Sequence, residues 1–319
     1  MKKYRKFLIS AGLLLVAASA AALLLFRQAV RPPEAARLLP EGDVLIYANL
    51  RPLHLLLASK PADLHLAPEY QDFITQTGIQ PERDLDEVAL SRQDTPDGRD
   101  TESSELFIGH FDSSRLNAWL EKIATGKEQY MGKTIFAFPH DGHSIRVSPL
   151  RSGTIAVTNM QSASPMHRII DRLQAQGAPL LIESYYRHVP AGSVGWLMAR
   201  IPAKGSGLMI PGGLSINLHQ DAVAVASLRY TGTLTTRADI LTQSEAEAKE
   251  LASSIKPFLA LARGMGQSSA TKPDDQDLKA AFDSVQIQQK ESTVTITVTV
   301  PEKLLKKLAT DAQSDGSKR

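Results

Sequence analysis

The stretch Phe138–Val147, FPHDGHSIRV, sets two imidazoles three residues apart around an Asp-Gly pair. Two histidines and a carboxylate could supply three of the ligands a zinc site uses. That spacing brings His140 and His143 together only on a helix or a sharp turn, and Asp141 points elsewhere in a tight turn, so a further ligand would have to come from another part of the chain. Asp-Gly between FAFP and SIRV is instead a hairpin signal, because the pair tolerates the positive φ of a two-residue turn. The spacing predicts a turn with both histidines at its shoulders and no metal.

Other reactive residue types are scattered. His54, His65, His110, His167, His188 and His219 form no HExxH or similar spacing. Ser206 lies in GSGLMIPGG (205–213), a glycine-rich connector without GxSxG, whose functional reading is a binding lip. Walker A and GxGxxG patterns are absent, so nothing supports a nucleotide cofactor. Asp84 and Asp86 in ERDLDE (82–87) read as a charged loop entering the strand VALS rather than as a catalytic carboxylate pair. The most aromatic window is ESYYRHVPAGSVGW (183–196). Its Tyr185, Tyr186 and Trp196 are read as packing between two halves of the body, or as an interface or ligand groove built from rigid aromatic surfaces.

The elements that must position these residues follow a leader. MKKYRK precedes Phe7–Phe26, 20 residues without a charge. A helix of that length spans about 30 Å, the hydrocarbon thickness of a bilayer. The four preceding cations place the N-terminus in the cytoplasm and the body outside. The expectation is an uncleaved signal-anchor of the inner membrane. The competing reading is a signal peptide cut near Ala20, after ASA (18–20). The first 31 residues hold six of the 36 basic residues and no acidic one, leaving 30 basic against 34 acidic in the remainder. A mildly acidic body without basic blocks argues against nucleic-acid binding. Cysteine is absent, which excludes disulfides, thiolate metal sites and a cysteine nucleophile.

Residues 1–26 form the cytoplasmic stub and span, and 27–38 a tether that Pro32 and Pro33 keep extended. Residues 39–177 and 178–312 are two α+β halves, and 313–319 a frayed tail. LPEGDVLIYANLRP (39–52) and VPAGSVGWLMARIP (189–202) match at an offset of 150 residues through Pro40/Pro190, Gly42/Gly192, Val44/Val194 and Pro52/Pro202. Each copy reads as a turn, a buried strand and a proline stop, and internal duplication is the hypothesis that follows. The first half reads as helices near 51–58 and 68–77, strands near 86–91 and 104–111, a helix at 113–124, strands near 133–138, 143–149 and 153–158, and a helix at 162–175. The second reads as strands near 213–219 and 222–231, a helix from 242 to 263 kinked at Pro257, strands near 282–290 and 293–300, and a helix at 301–311. In TVTITVTV (293–300), valine and isoleucine alternate with threonine, so one face is core and the other wet. The segments 92–105 and 266–277 read as mobile loops. Hairpins mixed with helices predict an α+β fold on largely antiparallel sheets.

Five stretches carry a resemblance: LPEGDVLIYANLRPL, YQDFITQTGIQPERDLDEVAL, GHFDSSRLNAWLE, YMGKTIFAFPHDGHSIRVSPL and YYRHVPAGSVGWL. Over about 39–200 the chain resembles uncharacterised bacterial single-pass envelope proteins found in acidobacterial genomes. The resemblance implies an exported, membrane-tethered α+β protein with no assigned reaction and carries over no site. The leading functional expectation is a non-enzymatic envelope module acting through protein or peptide contacts. The alternatives are a module binding a small apolar or lipid-like ligand in a groove between the halves, lined by Tyr185, Tyr186 and Trp196, and an unrecognised hydrolase.

Overall fold

The computed structural model describes residues 31–52, 54, 68–94, 101–140, 143–160, 162–175, 177–203, 208–210, 214–216, 219–268 and 273–304. The predicted span, the Asp141-Gly142 turn, Ser206, most of the 51–58 helix and most of the 301–311 helix lie outside these residues. Among the described residues no helix is long and apolar enough to cross a membrane.

The first half runs α1 (Glu34–Leu38), β1 (Val44–Asn49), α2 (Pro68–Thr77), α3 (Pro81–Asp84), β2 (Leu85–Asp94), β3 (Thr101–Gly109), α4 (Ser113–Ile123), β4 (Gly126–Tyr130), β5 (Lys133–His140), β6 (His143–Arg151), β7 (Thr154–Thr158) and α5 (Ser164–Gln174). The second runs α6 (Leu180–Tyr185), a 3-10 turn, β8 (Gly195–Ile201), β9 (Leu208–Ile210), β10 (Leu214–Ile216), β11 (Ala222–Tyr230), β12 (Leu234–Leu241), α7 (Glu245–Ser268), α8 (Pro273–Asp283), β13 (Gln286–Lys290) and β14 (Thr293–Val300). Twelve strands form one antiparallel sheet in the order β13-β14-β12-β11-β8-β1-β2-β3-β7-β6-β5-β4, and β9 and β10 form a separate hairpin. The fold is α+β.

The halves meet where β1 pairs with β8. Outward from that seam, β8-β11-β12-β14-β13 repeats the connectivity of β1-β2-β3-β7-β6, and among the described residues the first half alone extends the sheet, by β5 and β4. The offset of 150 does not survive into the strands. Paired residues share a face, and Ile46 pairs with Leu197 while Tyr47 pairs with Trp196. Residues 150 apart therefore sit on opposite faces. The buried Leu45 and Tyr47 instead match the buried Trp196 and Met198, one residue further along.

On one face, α1, α5 and α6 cover the centre of the sheet with a core that includes Leu45, Tyr47, Leu106, Met166, Ile170 and Trp196. α5 begins with Pro165 in its first turn and buries Met166, Ile169 and Ile170, the i, i+3, i+4 stripe of an amphipathic helix. On the other face, α2 and α4 close Ile79, Leu116, Leu120 and Phe136 over one side. α4 starts at Asp112, whose carboxylate accepts from the Ser114 N–H at 2.8 Å. α7 closes Ile240, Leu251, Ile255 and Val294 over the opposite side of that face.

Several expectations need correction. Residues 34–38 are not extended tether but α1, with Ala35 and Ala36 fully buried. The supposed loop 92–105 is largely the ends of β2 and β3, and 266–277 holds the end of α7 and the start of α8. β4 and β12 are strands the pattern did not indicate. The strand expected at 213–219 is the short β10, paired with β9. α7 runs Glu245–Ser268, starting and ending later than the 242–263 expected, with Pro257 inside it.

Candidate functional site

His140 and His143 are the last described backbone pair of the β5–β6 hairpin. No group of three or more His, Asp or Glu able to hold a metal occurs among the described residues. Asp84 and Asp86 are structural. Asp84 accepts the Gln80 N–H at 2.8 Å and the Arg83 guanidinium at 2.7 Å. Burial pushes the Asp84 carboxyl up, but these two bonds outweigh it and hold it below the usual carboxylate range. Asp86 is 7% exposed and pairs with Arg51 at 3.2 Å and His110 at 2.8 Å, tying together the ends of three chain segments.

The three aromatic candidates part company. Trp196 is buried at the seam, stacked on its cross-strand partner Tyr47 with centroids 5.7 Å apart. Tyr186 meets the same indole edge-on at 5.9 Å. Tyr47 carries a side-chain hydrogen bond to Glu87, and burial pushes the Tyr47 hydroxyl far above its ordinary value. Burial likewise raises the Glu87 carboxyl, against the opposing pull of Arg51 and Tyr47. Glu87 Oε2 and Trp196 Nε1 are both buried without a hydrogen-bond partner. Trp196 is therefore a buried core residue, Tyr186 packs half-buried against that core, and neither lines the cavity that Tyr185 reaches. The signal in the 183–196 window was a packing signal, and its polar member, Glu87, lay outside that window.

Tyr185 behaves differently. It lines a cavity of about 910 Å³ at the end of the sheet where β1 starts and β8 ends. Both halves wall it. Val44 and Asp43 come from the start of β1, Asp94 from the end of β2, and Leu180, Leu181 and Tyr185 from α6. Ile201, Ala222 and Leu241 come from the ends of β8, β11 and β12. The apolar lining includes the buried Leu181, Ile201 and Ala222. The polar lining includes three carboxylates, Asp43, Asp94 and Asp221, against one guanidinium, Arg200. Asp221 also accepts the Ala203 N–H at 2.8 Å, which steadies the start of β11. No single sequence window could have marked this cavity, because its walls are short runs at strand ends and on α6 that lie far apart in the chain, of which the aromatic window held only Tyr185 and Ser184.

Fold and site together define an α+β protein built on one continuous antiparallel sheet, with a mixed apolar and acidic cavity at the junction of two similarly connected halves. No family model matches the chain, and no curated protein does. Among solved structures the chain is similar to three crystal forms of TP0453. Form I has 13% identity and a TM-score of 0.44, covering 89% of this chain and 98% of that one. Form IV has 13% identity and a TM-score of 0.46, with coverages of 87% and 97%, and form III has 12% and 0.46, with coverages of 86% and 96%.

Proposed function

We propose that the protein is an extracytoplasmic module, tethered to the inner membrane through residues 7–26, that binds a partner instead of transforming a substrate. The observation that carries this reading is the 910 Å³ cavity walled by both halves. Protein interfaces combine an apolar centre with a polar, solvated rim, and the cavity has that composition. Small-molecule pockets are mostly apolar and nearly enclosing. Of the three side chains first expected to line a groove for a lipid-like ligand, Tyr185, Tyr186 and Trp196, only Tyr185 lines this cavity, while Tyr186 and Trp196 pack at the seam, and that favours the interaction reading.

The test is site-directed photo-crosslinking of the full-length chain in cells, with the probe at Leu180, which is 58% exposed at the cavity. A discrete protein adduct at Leu180, and none with the probe at Lys279 on the distant α8, is the expected result. A small-molecule adduct seen by mass spectrometry would restore the ligand alternative. No adduct at Leu180, or equal labelling at both positions, would reject this site.

A further inference from the structure

The path of α1 gives the body a direction. Glu34, at its start, pairs with Arg151 at 2.5 Å, and Arg151 ends β6 at the edge of the sheet where β1 also ends. Leu39 and Glu41 follow α1, and Asp43 then enters β1 from the opposite edge. Residues 34–43, α1 and the stretch after it, thus run from one edge of the sheet to the other, antiparallel to β1, and are fixed there by the burial of Ala35, Ala36, Leu38 and Leu39. At its far end the Arg172 guanidinium bonds the Leu39 carbonyl and meets Glu41 at 2.6 Å. The chain therefore joins the body at one edge of the sheet, and the cavity opens at the other.

Only residues 27–33 separate the proposed span from α1. Seven residues reach about 25 Å when fully extended. A six- to ten-residue strand is itself about 20–33 Å long. Bringing the cavity mouth to the leaflet would require the tether to lie fully extended back along the body. The rim opposes that arrangement too, since a lining with three carboxylates to one guanidinium is repelled by anionic headgroups.

We infer that the body stands on its α1 edge with the cavity facing away from the anchoring bilayer, and that the cavity takes a water-borne protein segment bearing basic and apolar side chains. This rests on the binding reading above and deepens it. The positive groups would meet Asp43, Asp94 and Asp221 at the rim, and the apolar ones would cover Val44, Leu181 and Ile201 in the lining. A lipid drawn from the anchoring leaflet does not fit, because the mouth points the wrong way and has the wrong charge.

The absence of cysteine makes the test direct. The full-length chain, reconstituted in nanodiscs of phosphatidylcholine and phosphatidylglycerol, receives one fluorophore at Ala191→Cys or at Gln243→Cys. Ala191 lies in the exposed turn before β8 at the α1 edge, and Gln243 is exposed at the cavity. Spin-labelled headgroups should quench the Ala191 probe several-fold more than the Gln243 probe. Equal or reversed quenching overturns the orientation, whether or not Leu180 crosslinks a partner. In the second arm the ligand probe is a ten-residue peptide of alternating Leu and Lys, compared with its Leu-Glu counterpart. The basic peptide should bind and the acidic one should not, both measured in nanodiscs of phosphatidylcholine alone, because anionic lipid would itself take up the basic peptide. Replacing Asp43, Asp94 and Asp221 with Asn should weaken binding about ten-fold or more, and Arg200→Gln, which guards against misfolding of the triple variant, should strengthen it. Indifference to the peptide's sign, or to both sets of variants, overturns the assignment of the occupant.

Discussion

The two halves repeat one strand connectivity but finish the same face of the sheet in different ways. Over β1, β2, β3 and β7 that face carries an apolar core that includes Tyr47, Ala89, Leu106 and Ala156, closed by α1, α5 and α6, with Ser91, Ser104 and Thr158 buried beside it. Over β12 and β14 it is polar. There Asp239, 1% exposed, accepts from Arg237 at 3.1 Å and from the Thr295 hydroxyl at 2.7 Å, with His188 at 3.7 Å. The shared connectivity fixes where strands lie, and the side chains on each copy decide whether hydrophobic burial or a hydrogen-bonded carboxylate holds them. The matched turns differ in the same way. In the first copy the Glu41 carboxylate joins α5 to α6, meeting Arg172 at 2.6 Å and the Leu180 N–H at 3.0 Å. The second copy has Ala191 at that position, exposed to solvent.

The contrast breaks most severely at the seam, where both halves depend on one pair. Trp196→Ala removes the partner of Tyr47 and Tyr186 from the core, and such truncations cost about 3–5 kcal/mol. We expect one cooperative unfolding transition, lowered as a whole in calorimetry. Two separated transitions would show that the halves are independently stable and that the seam matters less than its burial implies. Trp196→Phe should cost far less, because the indole N–H it removes has no partner.

The matched glycines sharpen the comparison next. A Cβ on Gly42 would lie 2.3 Å from Ser91 Oγ and 2.9 Å from the Arg92 carbonyl oxygen, so Gly42→Ala should cost about 1–3 kcal/mol by overpacking. Gly192 has open space but a φ of +78°, so Ala there costs about 1 kcal/mol of backbone strain. Ser91→Ala should rescue part of the Gly42→Ala loss in chemical denaturation and none of the Gly192→Ala loss. Rescue of both, or of neither, would contradict two different reasons for the same residue.

Much of the strand and helix order was legible because alternation in β14 and the helical stripe in α5 follow from burial on one face. What escaped has physical causes. α1 has only five residues, too few for periodicity, behind two prolines that read as extended chain. β12 carries Arg237 and Asp239 on a face that hydrogen bonds satisfy, so it lacks the apolar alternation that marks a strand. α8 is polar along most of its length. Of the aromatic candidates, Tyr185 reaches the cavity, while Tyr186 and Trp196 show that an aromatic cluster near a seam packs the seam.

At the turns themselves, Glu41→Ala should cost about 1–2 kcal/mol, the range for a hydrogen bond to a charged group reduced for its partial exposure. Ala191→Glu should stay within about 0.5 kcal/mol, as exposed substitutions do. Urea midpoints compare the two. Equal losses would mean that the Arg172 and Leu180 contacts contribute nothing.

The smallest effects distinguish the halves by sign. Burial raises the Glu87 carboxyl in the first half, so the folded state favours its protonated form. That contribution is present below the ordinary value of 4.5 and is lost as pH rises through the raised one. Burial lowers the His188 imidazole in the second half, against the opposing attraction of Asp239. Its contribution is present above the ordinary 6.5 and is lost as pH falls through the lowered value. Melting temperatures between pH 4 and 8 should therefore diverge in opposite directions. The Glu87→Gln variant should gain on the wild type as pH rises, and His188→Gln as pH falls. Difference curves of the same slope, or flat ones, would mean that the two buried groups do not titrate against their own halves, and the contrast would then rest on packing alone.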